Sequence, residues 1–345
     1  MKRTAMLFGA LALAAASTAN AQLTMQMSNG WSFSFSGNVN TFAQYQSVST
    51  GNAPGALVGG LVSGTKNSGF YYGTGLLPAF ATFSATGKEG NTDLGVHFGF
   101  APEVQCGGGA HDCFGAQIDM RQVYLTVGGS WGQILAGKEL GIYQRQNILN
   151  DQTLFGVGGG GIAPSGTTLG RIGFGYVYPN FVAQMTYSTP AGRPGQLSVG
   201  LVDPSGFGPY TTLRLPRLEA EATWKSGHLL LFASGEAENA KSAPSGGTSK
   251  SSVGGAGGIT YKTGMVSLHG SGYAGKGIGT TLMFNGVGSG SGFDNAVGTD
   301  GELRTSYGFY GQIAMTPAAS KVTIAGSYGS SYLKSSKGDA VAFKT

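Results

Sequence analysis

The sequence predicts an all-β protein whose strands form a transmembrane antiparallel β-barrel. Three observations predict this fold: segments in which polar and apolar residues alternate, a regular succession of short and long links between them, and an N-terminus typical of exported proteins. Alternation has the period of a β-strand, because successive side chains of a strand point to opposite faces of the sheet.

The segment RLEAEATWK, residues 217–225, shows the alternation most clearly. Its residues are mostly strong helix formers, so propensity alone predicts a helix. The charged residues, which include Glu219 and Glu221, nevertheless share one parity, whereas Leu218 and Trp224 share the other. Comparable segments predict about 13 strands in total, at 31–40, 79–87, 92–100, 116–128, 132–138, 180–189, 195–202, 217–225, 228–237, 253–262, 265–274, 303–315 and 321–332.

The links between these segments alternate in length along the whole chain. Short turns rich in Gly, Pro, Asn and Ser lie at 88–91, 129–131, 190–195, 225–227, 263–264 and 316–320. Long links lie between them, at 49–78, 102–115, 139–179, 203–216, 238–252 and 275–302. A membrane barrel has this pattern, because its short turns lie at one end and its longer loops at the other.

The N-terminus has the parts of a secretory signal peptide. Lys2 and Arg3 precede an apolar run of 11 residues, and a small-residue cleavage site follows the run. We therefore expect a signal peptide at 1–21 and a single mature domain at 22–345. The alternative is an N-terminal membrane anchor, but a spanning helix needs about 20 apolar residues. No other stretch approaches that length, which excludes an all-helical membrane protein.

The composition favours extensive β-structure without a division into domains. The chain has 345 residues, of which 63 are Gly, 15 are Tyr and 19 are Phe, and glycine with aromatic residues in many short segments is typical of β-proteins. Without the leader, 19 basic residues stand against 16 acidic ones, a formal charge of +3. So small an excess argues against nucleic acid as a partner.

The charged face of residues 217–225 indicates which side of the sheet meets water. Several charges without partners would be unfavourable in a packed core, but a water-filled lumen accommodates them. We therefore expect Glu219 and Glu221 to line a lumen, and Leu218 and Trp224 to face lipid. The alternative is a soluble edge strand whose charged face meets bulk water. That alternative suits this strand, but it explains neither the leader nor the alternating links.

Residues 120–156, MRQVYLTVGGSWGQILAGKELGIYQRQNILNDQTLFG, resemble the trimeric general-diffusion porins of Gram-negative outer membranes. In those proteins an Arg-x-x-Tyr/Phe strand, a short turn and a Gly-Lys/Arg strand end lead into the third loop. FVAQMTYSTP and QLSVGLVDP resemble the strand pair after that loop. The resemblance implies a 16-stranded barrel, a homotrimer, contact with outer-membrane lipid and lipopolysaccharide, and a third loop that folds into the pore, here at about 139–179.

The resemblance also implies a pore constriction, in which opposed charges orient water and solutes while the bore limits their size. Its candidate residues are basic residues of the wall, residues of the loop, and one residue of the returning arm: Arg121 and Lys138, then Glu139, Arg145 and Asp151, then Arg171. The alternative for each is an ordinary solvated charge of the lumen or loop.

The implied function is passive diffusion of small hydrophilic solutes and ions through a water-filled channel, with no catalysis and no cofactor. An alternative from another class is a secreted β-rich adhesin or surface structural protein. A third is a substrate-selective channel, which a single solute would block saturably.

Cys106 and Cys113 are the only cysteines of the chain. An even pair so close together in an exported protein predicts a local disulfide in the link 102–115. A metal site that adds His111 and Asp112 is the alternative, but three adjacent ligands do not match the usual zinc spacings.

An odd number of strands would leave the two ends of the barrel on opposite sides of the membrane. Chains of the family usually close with a strand that ends in an aromatic residue, whereas Phe343 is third from last here. We therefore expect either a missing C-terminal portion of about three strands or undetected strands within the long links.

Overall fold

The computed structural model describes residues 21–27, 29–48, 67–73, 79–102, 118–155, 170–242, 247–281, 296–298, 300–318, 320–337 and 343–344. The strands in these residues are β1 Ala21–Gln26, β2 Ser32–Asn38, β3 Phe42–Val48, β4 Asn67–Gly73, β5 Phe80–Glu89, β6 Thr92–Pro102, β7 Ile118–Gly129, β8 Gly132–Leu140, β9 Phe181–Ser188, β10 Gly195–Val202, β11 Tyr210–Leu213, β12 Arg217–Ser226, β13 Leu229–Ser242, β14 Ser249–Thr263, β15 Val266–Lys276, β16 Thr305–Met315, β17 Ile324–Leu333 and β18 Phe343–Lys344. A short helix α1, Arg145–Leu149, and a 3₁₀ turn, Gln152–Phe155, follow β8.

One antiparallel sheet of 16 strands dominates the fold. Its order is β1-β2-β5-β6-β7-β8-β9-β10-β12-β13-β14-β15-β16-β17-β18, and β11 adds to β13. Most strands that follow one another along the sequence are therefore neighbours in the sheet, as short turns require. β3 and β4 form a separate antiparallel pair.

Strand β12 confirms the expected orientation of the polar and apolar faces. Glu219 is 1% exposed and Glu221 3%, whereas Leu218 is 52% exposed and Trp224 43%. The charged face points into the structure and the apolar face points outward. This is the reverse of a soluble barrel, which turns its apolar face inward.

The neighbouring strands β9 and β10 expose apolar side chains in the same way. Met185, Leu197, Val199 and Leu201 lie on the outward face and are each at least 44% exposed. A continuous apolar surface of this kind is unusual for a soluble monomer. It matches the lipid-facing band of a membrane barrel.

Aromatic residues lie on the outward face beside the short turns. The rings of Trp131 and Tyr187 are stacked with centroids 6.2 Å apart, and the Tyr187 hydroxyl donates to the Trp131 carbonyl at 2.8 Å. Trp224 lies near the C-terminal end of β12, close to the short turn that follows the strand. Aromatic side chains with one polar end suit the level of the lipid headgroups.

The short turns are found with some changes of boundary, but the strict alternation of link lengths is not, because the link between β13 and β14 has six residues, as many as the turn between β9 and β10. Strands β13 and β14 are longer than expected, so the link predicted at 238–252 shrinks to 243–248. Strand β11 lies inside the link predicted at 203–216, and β4 lies inside 49–78. Strand β4 contains two Gly, which lack the side chain that would show the alternation, and the added start of β14, residues 249–252, is polar throughout and so shows no alternation.

The structure adds β1, β3, β4, β11 and β18 to the predicted strands. β1 was not recognised because it begins directly at the expected cleavage site, although Leu23 and Met25 alternate with polar residues and are at least half exposed. Among the described residues, no helix is long and apolar enough to cross a membrane.

Candidate functional site

The described parts of the chain between β8 and β9 fold against the inner face of the sheet. Residues 141–155 and 170–180, here called the inner loop, contact strands from β10 to β17. The inner loop buries its own apolar residues between itself and the wall: Ile148, Leu154, Ile172 and Tyr176 pack with Leu140 and Tyr310. The inner loop and the wall therefore share a small hydrophobic core on the inner side of the sheet.

A buried ion pair fixes the start of the inner loop. Glu219 Oε2 accepts hydrogen bonds from the backbone N–H groups of Ile142 at 2.6 Å and Tyr143 at 2.9 Å, while its Oε1 accepts from Arg217 Nε at 2.8 Å. Arg217 also reaches Glu238 at 3.4 Å. Buried charges are tolerated when they are paired and hydrogen-bonded, and Glu219 meets both conditions.

Gln144 turns the chain into α1 and joins the two arms of the loop. Its φ is 63°, in the left-handed region. The Gln144 N–H donates to Ser234 Oγ at 3.0 Å, and the side-chain Oε1 accepts from the Val177 N–H at 2.9 Å. One residue therefore binds strand β13 and the returning arm.

Helix α1 presents Arg145 to strand β12. Arg145 Nη2 lies 2.7 Å from Glu221 Oε1, and Gln146 Nε2 donates to the same oxygen at 3.2 Å. Glu221 is buried, whereas the side chain of Arg145 remains 24% exposed. The Arg145–Glu221 ion pair of the inner loop is therefore partly exposed, on the side of Arg145.

Asp151 joins the outgoing arm of the loop to its returning arm. Its Oδ2 accepts from the Arg171 N–H at 2.7 Å and from the Tyr176 hydroxyl at 2.8 Å, and its Oδ1 accepts from Thr153. Burial, with the nearby Asp151 carboxylate, raises the pKa of Tyr176 well above its usual value. The phenol consequently stays protonated and serves as a donor.

The returning arm is attached to strands on the far side of the interior. Arg171 Nη2 donates to the Ser327 carbonyl at 2.6 Å, and the Gly175 N–H donates to Ser331 Oγ at 3.0 Å. The Gln152 N–H donates to Gln312 Oε1 at 3.0 Å on β16. The inner loop thus crosses from β8 to β17 and is held along its length.

Glycines of the inner wall leave the space that the loop occupies. A Cβ atom at Gly200 would lie 2.6 Å from Ile142 Cδ1, and one at Gly254 would lie 2.6 Å from the Tyr143 hydroxyl. A Cβ at Gly329 would overlap the carbonyl oxygen of Phe174. The glycine content of these strands therefore has a physical cause, which is close packing against the loop.

We expect Gly254→Val to destabilise the folded state by about 1–3 kcal/mol, the usual cost of overpacking. The added side chain collides with Tyr143, whose phenol atoms lie 2.6–3.3 Å from the position that a Cβ at Gly254 would take. Urea titration followed by the gel shift of the folded barrel measures the effect. Gly255→Val is the control, because no atom lies within 4 Å of its Cβ position; equal losses in both variants would contradict the packing described.

Two of the predicted constriction residues, Glu139 and Lys138, are neighbours in β8 and lie on opposite faces of the sheet. Glu139 belongs to β8 and not to the loop; its carboxylate accepts from Gln122 Nε2 at 2.8 Å. Lys138 is in register with Val123 and Ala183, on the outward side of the sheet, and its ammonium donates to the Met120 carbonyl at 2.9 Å.

The remaining predicted residues have defined places. The Arg121 guanidinium lies 5.9 Å from the centroid of the Phe181 ring, beside the register shift between β6 and β7. Arg145, Asp151 and Arg171 all belong to the inner loop and bind the wall or one another. Glu219 and Glu221 point inward as predicted, but the loop covers them. Cys106, His111, Asp112 and Cys113 lie outside the described residues.

Sequence reasoning missed the uncharged residues that hold the loop. Gln144, Tyr176, Gln312 and Ser327 carry no recognisable motif, and their partners lie far away in the sequence. The alternation of their strands places Gln312 and Ser327 on the inner face of the sheet. It does not show which residues of the loop they contact.

No protein-family model matches the chain, and no curated protein does. Solved structures do match. The outer membrane channel DcaP of Acinetobacter baumannii has a TM-score of 0.64 and 16% identity over 90% of this chain and 81% of that one. An anion-selective porin from Comamonas acidovorans has a TM-score of 0.59 and 14% identity over 88% and 80%.

The trimer form of OmpT, an outer membrane protein of Vibrio cholerae, has a TM-score of 0.53 and 12% identity over 90% of this chain and 80% of that one. The chain has the fold of an outer-membrane porin. In this fold the strands close around a lumen. The inward face of β12 and the inner loop therefore both lie on the lumen side of the sheet. The porin fold also accounts for the outward apolar face of β9 and β10.

Proposed function

We propose that the chain is a porin of a Gram-negative outer membrane, a water-filled channel through which small hydrophilic solutes and ions diffuse passively. The observation that carries the proposal is the placement of buried, paired charges and a fixed loop on the inner face of a sheet whose outer face is apolar. The signal peptide expected at 1–21 would direct export, and the apolar band would meet lipid and lipopolysaccharide.

The open part of the lumen lies, on this proposal, between the inner loop and the wall that the loop leaves uncovered. Inner-face residues of β12 to β16 are buried by the loop, whereas Ser34, Ser84, His97 and Tyr124 stay partly exposed. His97 hydrogen-bonds to Ser84 at 2.9 Å, and its ring is stacked on that of Tyr124 with centroids 4.7 Å apart. This wall is polar and carries few charges.

The narrowing would have Glu139 on the wall and Arg145 on the loop. Opposed charges across a passage set up a transverse field, while the bore limits the size of solutes. Contacts with Gln122 and Glu221 hold the two groups in place. A homotrimer and a Cys106–Cys113 disulfide are parts of the same proposal, and the trimer form of the similar OmpT supports the first.

Planar-bilayer recordings with the purified protein test the proposal. We expect discrete conductance steps in potassium chloride, a band on gels that shifts on boiling, and fractionation with the outer membrane. A protein that adheres to surfaces but yields no conductance steps would support the adhesin alternative and contradict a channel.

Arg145→Gln is expected to shift ion preference toward cations, because it removes the partly exposed positive charge of the narrowing and retains a donor for Glu221. The zero-current potential under a salt gradient measures the shift. Lys138→Gln is the matched control, since it removes the same charge from the outward side of the sheet. A larger shift in the control than in Arg145→Gln would show that the narrowing lies elsewhere.

A further inference from the structure

A cavity lies between helix α1 and the short-turn ends of the wall strands. Its volume is about 550 Å³, and its lining comes from the ends of β6 to β10 and β12 and from α1. A volume of this size is within the range of small-molecule sites. The cavity borders the narrowing proposed above, so a solute in transit would encounter it.

Uncharged hydrogen-bonding side chains are the largest group in the lining of the cavity. They include three amides and three hydroxyls: Gln133, Gln146, Gln196, Ser188, Ser198 and Thr223. Amides both donate and accept hydrogen bonds, and so do hydroxyls. A lining of this kind complements a solute whose own groups do both, which is the property of a sugar hydroxyl.

The charged residues of the lining do not favour either sign of ion. Arg145 and Glu221 are paired at 2.7 Å, and Asp93 is paired with Lys88 at 3.4 Å. Each charge therefore has a counter-charge within contact distance. A solute with a net charge would gain little here and would lose its hydration, so the cavity suits a neutral solute.

Glu221 supplies an acceptor that the described residues leave unused. Its side chain is 3% exposed and lines the cavity. Oε1 accepts from Arg145 and Gln146, whereas Oε2 has no hydrogen-bond partner among the described residues. An ionised carboxylate can accept several hydrogen bonds. Because Oε2 is itself buried, a solute would have to displace the Glu221 side chain slightly, so that a solute hydroxyl donates to Oε2 while Arg145 donates to a neighbouring hydroxyl.

The apolar part of the lining suits the other surface of the same solute. Leu149 of α1 is 59% exposed and lines the cavity together with Pro190 and Ala191 of the β9–β10 turn. Sugar rings have C–H faces as well as hydroxyl edges, and a site for them needs both kinds of contact.

We infer that this cavity is a binding subsite for a neutral, polyhydroxylated solute of sugar size. The inference rests on the proposed channel function and goes beyond it, because a channel for unspecific diffusion requires no subsite. A solute would occupy the cavity with its hydroxyls on Glu221, Arg145 and the amides, and it would interrupt the ionic current while bound.

Glucose, gluconate and glucosamine are suitable probes, because they have similar size and differ in charge. In single-channel recordings glucose is expected to block the current saturably, and the two charged analogues are expected to block more weakly. Gln133→Leu and Gln196→Leu each remove one hydrogen-bonding side chain from the lining, and each is expected to weaken the glucose block about fivefold, the equivalent of one net hydrogen bond.

Ile134→Val is the control, because Ile134 adjoins Gln133 in the strand and points to the outward face; its glucose block is expected to equal that of the unchanged protein. A channel that conducts but shows no saturable glucose block would overturn the subsite and leave the channel function standing. Equal block by gluconate or glucosamine would overturn the neutral class of solute. Absence of any conductance would overturn the channel function itself.

Discussion

Glu219→Ala is expected to lower the free energy of unfolding by about 3 kcal/mol, because it removes one member of a buried ion pair and leaves the other without its closest partner. Arg217 and Glu219 are each 1% exposed, so water cannot replace the lost contact. The Arg217 guanidinium would keep its contact with Glu238. That carboxylate oxygen is 3.4 Å away, whereas the Glu219 oxygen is 2.8 Å away.

The same substitution is expected to free the start of the inner loop. The Ile142 and Tyr143 N–H groups both donate to Glu219 Oε2, and buried donors without an acceptor are unfavourable by about 1–3 kcal/mol each. Those groups must therefore move to reach water. Single-channel recordings should show larger current fluctuations, since the loop crosses the lumen.

Urea titration in detergent, followed by the gel shift of the folded barrel, measures the loss of stability. Lys88→Ala is the control: it removes one member of an ion pair whose side chains are 61% and 59% exposed, and such pairs contribute about 0–1 kcal/mol. A Glu219→Ala variant as stable as the control would contradict the anchoring role of the buried pair.

Val199→Arg is expected to destabilise the folded barrel by about 1–4 kcal/mol, the cost of placing Arg on the lipid face of the barrel. Val199 lies near the middle of β10, is 44% exposed, and is in register with Tyr187 and Ala220 on the outward face. A guanidinium there would have to leave water for hydrocarbon.

Refolding into lipid bilayers with urea titration measures this effect. Val199→Ala is the matched control, because it shortens the side chain without adding charge, and its effect is expected to be below that of Arg. An Arg variant that folds as stably as the Ala variant would show that this face of β10 meets water and not lipid.

Local pattern was sufficient to predict most strands of the sheet and its two faces. The alternation in β12 fixed which residues share a face, and the charges at Glu219 and Glu221 indicated that the shared face was the inner one. The unusual length of the link after β8 indicated that it has a function. Strand β11 escaped detection because its four residues, Tyr210–Leu213, are too few to show an alternation.

Contacts of the inner loop could not be predicted in the same way, since they join residues far apart in the chain. Gln152 and Gln312 are separated by 160 positions, and Arg171 and Ser327 by 156. Lys138 shows a second limit: the resemblance implied a base of the wall that faces Glu139 in the loop, whereas both residues belong to β8, and adjacent residues of a strand point to opposite faces.

Fluorescence quenching of Trp224 tests most directly whether the outer face of the sheet meets lipid. Replacing Trp31 and Trp131 by Phe leaves Trp224 as the sole indole, because the chain has three Trp residues. Refolded into vesicles of brominated phospholipid, this variant is expected to lose most of its emission, while iodide in the buffer has little effect. Strong quenching by iodide with none by brominated lipid would contradict the account of a barrel that is apolar outside and polar within.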